Sequence, residues 1–151
     1  MRRAAACLVI GLAALPSLAR AGGLCAAGAT DDSLRPLPLA EVQAARQAFG
    51  LAPDMPAALV ARMTVYRCDA GQALICTAGA NLPCGKADTA RHLPAATQWC
   101  AVNPGADVIP AYVTGHDTAY QWRCQGGQAV PGKRAALDSR GFFESFWKPL
   151  P

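Results

Sequence analysis

Charged residues make up only 16% of the 151 positions and aromatic residues only 7%, and there are just two histidines, His92 and His116. So few imidazoles, with no H-x3-H or H-E-x-x-H spacing, exclude the common histidine-built metal sites. The cysteines form no C-x2-C or C-x4-C knuckle and no C-x-x-C pair, which speaks against a zinc ribbon or a thioredoxin-like redox motif. No serine sits in G-x-S-x-G, and no G-x-x-x-x-G-K-[ST] occurs. Runs of lysine and arginine are also missing. The formal charge of +4 includes Arg2, Arg3 and Arg20 in what reads as a leader; without them 11 Lys+Arg face 10 Asp+Glu. A chain so close to neutral is not built to bind nucleic acid or another polyanion. After the leader no apolar run is long enough to span a bilayer.

The chain does have an N-terminal stretch with the three parts of a secretory signal. Arg2-Arg3 begins it, residues 7–15 are apolar, and Ala19-Arg20-Ala21 offers a small-x-small cleavage site, so the expected mature chain starts at Gly22. Periplasmic or secreted localisation follows as an expectation. Leu24 before Cys25 does not fit a lipoprotein site. The 52% hydrophobic content is weaker than it looks, because 33 of the residues are alanine, which buries little area. An exported domain with a thin core calls for covalent staples.

Cysteine supplies them. Cys7 leaves with the leader, and Cys25, Cys68, Cys76, Cys84, Cys100 and Cys124 remain, an even six. They read as three disulfides with fifteen possible connectivities. With residues 69–72 as a hairpin turn, Cys76 falls on the face opposite Cys68, so Cys68–Cys76 is disfavoured. Cys84–Cys100 is the preferred pair; it closes a loop of about fifteen residues, for which loop entropy gives roughly 3 kcal/mol.

Periodicity divides the chain into a signal peptide (1–21), an N-terminal arm with a short helix (22–56) and a disulfide-stabilised α+β domain (57–151). The arm's helix covers 39–49 and stops at Gly50. Residues 52–58, with Pro53 and Pro56, read as a connection, 60–68 and 73–77 as paired strands, and 94–102 as a second helix with Pro94 in its first turn. Strands are expected at 108–114, 118–124 and 128–130, with a last turn at 138–141 before the aromatic stretch 142–147. The expected fold is α+β: a small antiparallel meander with two equivalent hairpins, plus two short helices.

The two hairpins rest on an internal echo. Tyr66-Arg67-Cys68-Asp69-Ala70-Gly71-Gln72-Ala73-Leu74 and Trp122-Arg123-Cys124-Gln125-Gly126-Gly127-Gln128-Ala129-Val130 share aromatic-R-C-x-x-G-Q-A-aliphatic. Alternation puts the aromatic and the cysteine on one face and the arginine on the other, so Arg67 and Arg123 are both expected to face water as equivalent halves of one sheet. Two copies are too few for a solenoid.

Chemistry-bearing candidates are few. His116 beside Asp117, or with Asp88, could orient a general base, but Gly115-His116-Asp117-Thr118 reads more simply as a hydrogen-bonded turn. The 79–86 loop, with Asn81 and Lys86, is the longest between strands and so the first place for a partner contact. The 142–147 aromatics read as core. No catalytic, metal or cofactor residues are assigned; the candidate binding residues are Asn81, Lys86, His116, Asp117, Arg67 and Arg123.

The pieces Tyr66-Arg67-Cys68, Gly79-Ala80-Asn81-Leu82-Pro83-Cys84-Gly85-Lys86, Ile109-Pro110, Thr114-Gly115-His116-Asp117-Thr118, Trp122-Arg123-Cys124 and Arg140-Gly141-Phe142 resemble an uncharacterised family of small exported cysteine-containing bacterial proteins. The resemblance covers a little over half the chain and implies export and cysteine pairing, but no reaction. The functional expectation is a monomeric, non-enzymatic binding module for an unidentified protein or small ligand of the cell envelope, in its sharper version an inhibitor that inserts its 79–86 loop. The alternatives are a small hydrolytic or metal-dependent enzyme using His116 and Asp117, and a structural envelope protein.

Overall fold

A computed structural model describes residues 23–79 and 82–151. The expected leader, with its cleavage site and Cys7, lies outside the described residues, as does Asn81. In chain order the elements are β1 (Asp31–Pro36), a 3-10 turn (Leu39–Glu41), α1 (Val42–Phe49), α2 (Ala57–Met63), β2 (Thr64–Asp69), β3 (Gln72–Thr77), α3 (Pro94–Val102), α4 (Ala111–Thr114), β4 (Tyr120–Gln125), β5 (Gln128–Arg134), a 3-10 turn (Glu144–Phe146) and β6 (Lys148–Pro149). The fold is a small disulfide-stapled α+β architecture with antiparallel sheets. Four strands form one sheet in the order β1-β2-β3-β6, and β4-β5 form a second.

Both echoed segments fold as tight hairpins with the same register: Cys68 opposes Ala73 and Cys124 opposes Ala129. Each two-residue turn has two positive φ angles, at Ala70 (49°) and Gly71 (84°) and at Gly126 (58°) and Gly127 (77°). That is the turn whose twist matches the flanking strands. The equivalence expected of the hairpins holds, but they belong to separate sheets and are not halves of one.

Three small clusters make up the interior. Leu37, Val42, Ala45, Val60, Ala61 and Ile75 pack α1 and α2 onto the larger sheet. Ala96, Cys100, Ile109, Trp122 and Cys124 pack α3 onto the second hairpin. Cys76, Cys84, Phe142 and Trp147 form the third. The stretch expected to be an arm therefore supplies a strand to the larger sheet and, through Leu37 and α1, half of the first cluster's buried residues.

The disulfides are Cys25–Cys68, Cys76–Cys84 and Cys100–Cys124, with Cα–Cα distances of 5.7, 5.8 and 5.4 Å. The preferred Cys84–Cys100 pair is wrong. Loop length said nothing about direction, and the chain after β3 turns back so that Cys84 meets Cys76 behind the sheet, while α3 presents Cys100 to β4. Cys68 bonds Cys25, so Cys68–Cys76 is indeed not formed. Two further expectations change. Residues 57–63 are helical, with Pro56 at the N-cap, where a proline's missing N–H costs nothing. Residues 108–114 are not a strand: Pro110 caps the single turn α4, which ends at Gly115 with φ 88°.

Candidate functional site

The two echoed arginines meet different surroundings. Arg67 was expected in water, yet it is 0% exposed. Its guanidinium stands 4.2 Å from the Phe142 ring centroid and 4.8 Å from that of Trp147, and Nη2 donates to Asp138 Oδ2. Asp138 Oδ1 accepts from the backbone N–H groups of Arg140 (2.9 Å) and Phe142 (3.0 Å). One carboxylate thus fixes the 138–142 turn and neutralises a buried cation. The C-terminal segment, brought back alongside β3 by β6, is what covers this face. Arg67 is thus enclosed by the domain's own side chains, and the expected exposure to water is corrected.

Lys86 lies beside the same segment. Its backbone bridges to Phe142, and its ammonium contacts Asp32 at 2.7 Å and sits 5.6 Å from the Phe142 ring. Arg140 also reaches the Asp32 carboxylate, at 2.9 and 3.0 Å. These two cations, Arg140 first, hold the Asp32 carboxyl down at about 2. Lys86 is therefore engaged with the body of the domain, although its side chain is 54% exposed.

Around Arg123 the surface is open. Residues 106–109 run beside β4: Ile109 N–H donates to the Trp122 carbonyl (2.9 Å) and Cys124 N–H to the Ala106 carbonyl (2.7 Å). Between this strip with α4 and the β4–β5 hairpin lies a cleft of about 490 Å³, within the usual range for small-ligand sites. Val108 and Pro110 give it an apolar wall and Tyr120 an aromatic edge; Ile109 and Trp122 border it but are buried in the cluster beneath, at 4% and 3% exposure. Trp122 Nε1 donates to Thr118 Oγ1 at 2.8 Å, fixing the indole. Arg123, Lys133 and Asp107 supply the charge. A Cβ at Gly132 would stand 3.3 Å from the Gln121 carbonyl, a tight approach, and 3.6 Å from Arg123 Nη1, an ordinary contact. Neither Arg123 nor Lys133 has an ion-pair partner among the described residues. Val102, Val108 and Tyr112, on the neighbouring α3–α4 surface, are 79%, 72% and 80% exposed.

His116 and Asp117 are exposed, in the loop that joins two residues lining this cleft, Thr114 and Thr118, but line no part of it themselves. The Asp117 carbonyl accepts from the Asp88 N–H at 2.7 Å, and the Asp88 carboxylate accepts from the Ala90 N–H at 2.8 Å. His92 is exposed and likewise outside the cleft. The structure thus places neither histidine at this cleft, whose one carboxylate among the described residues is Asp107, and among the described residues no three His, Cys, Asp or Glu could hold a metal ion. Of the expected binding residues that are described, only Arg123 lines the cleft. Lys133, Gly132 and the 107–110 strip were not singled out, and no motif in the sequence marks them.

Comparison of the chain with protein-family models, with curated proteins and with solved structures returns no match.

Proposed function

We propose that this protein is an exported binding module and that the cleft between the 107–114 strip and the β4–β5 hairpin is its ligand site. The observation that carries this reading is the cleft itself: concave, walled by Val108, Pro110 and Tyr120, edged by Arg123 and Lys133, which have no ion-pair partner among the described residues, and adjoined in α4 by the exposed Tyr112. A few charged groups around an apolar hollow are what orient and retain a ligand. Three disulfides support the rigidity such a site needs, since a preorganised surface loses little entropy on binding. They are also compatible with an oxidising compartment, as is the absence, among the described residues, of a helix long and apolar enough to cross a membrane. The leader at 1–21 and the resemblance to small exported bacterial proteins support the same location.

The test immobilises the mature protein and exposes it to cell-envelope extract. Retained material should be lost with Val108→Asp, inside the cleft, and kept with Leu39→Asp, an exposed apolar position near α1. Equal retention by both variants would remove the cleft from the account. Mass spectrometry of the chain recovered from the envelope should show it beginning at Gly22.

A further inference from the structure

The protein contains its own example of what covers an arginine at this hairpin position, although Arg67 Nε and Nη1 keep no hydrogen-bond partner among the described residues. Arg67 and Arg123 occupy equivalent places in equivalent hairpins, one residue before a disulfide cysteine and in the same register. Over Arg67 the chain lays a carboxylate, Asp138, together with two aromatic rings, Phe142 and Trp147. Over Arg123 the described residues lay nothing of that kind and leave the cleft of about 490 Å³. We infer that the cleft takes a small aromatic carboxylate, whose acid group meets Arg123 and Lys133 and whose ring lies on the apolar wall. This rests on reading the cleft as a ligand site, and adds the class of ligand.

Charge and size favour that class. Two cations and one carboxylate, Asp107, line the cleft, so an anion is attracted on balance and Asp107 restricts where it sits. An arginine offers a planar pair of N–H donors that matches a carboxylate, and its face can stack on a ring. The volume suits a free acid of modest size.

The experiment titrates the intact, disulfide-bonded protein with 3-phenylpropionate, 3-phenylpropan-1-ol and 3-phenylpropylamine, following the amide NMR shifts of residues 107–109, 120–130 and 132–134. The acid should bind about tenfold more tightly than the alcohol, the scale of one charge-assisted hydrogen bond. The amine should bind most weakly. Arg123→Gln should abolish the advantage of the acid over the alcohol, and Lys133→Gln should reduce it. A C-terminally free peptide ending in phenylalanine, run beside the acid, separates the sources: tighter binding of the peptide would overturn assignment to a free small molecule. Equal binding of acid and alcohol, or preference for the amine, would overturn the inference while leaving the cleft a ligand site. No shift with any probe would overturn the inference too; whether the cleft reading falls with it is decided separately by the Val108→Asp retention test.

Discussion

The two hairpins share sequence pattern, turn and register, yet one arginine is the largest fully buried side chain among the described residues and the other lines an open cleft. The local pattern sets the hairpin and leaves open which face gets covered. Coverage is decided by segments distant in sequence. For β2–β3 it is the C-terminal stretch, held by the turn at Asp138 and returned by β6. For β4–β5, α3 covers the cysteine face through Cys100–Cys124, and the arginine face has no such cover. The disulfides differ in the same way: Cys68 ties in the N-terminal stretch across 43 residues, and Cys124 ties in the adjacent helix across 24.

Breaking each hairpin's bridge should give the largest effects. Replacing Cys25 and Cys68 together by serine should cost about 4 kcal/mol and replacing Cys100 and Cys124 about 3.5 kcal/mol, following loop length. Equilibrium urea unfolding would read both; a larger loss for the second pair would mean that α3 packing, not loop closure, governs stability.

The arginines sharpen the contrast. Arg67→Ala removes a cation held between two rings and leaves Asp138 without its partner, for a loss of about 3 kcal/mol. Arg123→Ala should change stability by no more than about 0.5 kcal/mol. Similar midpoints in thermal unfolding would contradict the burial assigned to Arg67.

The turns come next. Gly71→Ala forces a side chain into positive φ and brings its Cβ to 2.6 Å from the Gly28 backbone nitrogen, so it should cost more than about 2 kcal/mol. Gly127→Ala meets open space and should cost only the conformational term, about 1 kcal/mol. Circular-dichroism melts of the two variants would check the order.

Acid gives the smallest effect. The Asp32 carboxyl, held near 2 by Arg140 and Lys86, is depressed below the usual aspartate value of about 3.9. Its contribution is therefore present above about pH 4 and lost as pH falls toward 2. At an exposed ion cluster this amounts to less than about 1 kcal/mol. Asp32→Asn should flatten that part of the stability–pH curve.

Much of the fold was legible because hairpins and capped helices announce themselves locally. The repeated aromatic-R-C-x-x-G-Q-A pattern gave both hairpins, and Gly50 and Pro94 marked the ends of α1 and α3 correctly. β1 was not legible: its DDSLRP is polar and half-exposed, and it is a strand only because β2 offers it an edge to pair with. Residues 108–114 look like a strand because Val108, Ile109, Tyr112 and Val113 favour one; Pro110 instead ends the extended strip and begins α4. Of the candidate site, Arg123 was legible and its surroundings were not. The cleft is assembled from three segments whose proximity depends on pairing between 106–109 and β4, and neither composition nor spacing encodes that pairing.

Arginine footprinting tests the central contrast most directly. The folded, oxidised protein is treated with p-hydroxyphenylglyoxal and the modified positions are located by peptide mass spectrometry. Arg123 should be labelled at the rate of an exposed arginine, with Arg67 protected until the protein unfolds; labelling of Arg67 as fast as Arg123 in the native state would contradict the account.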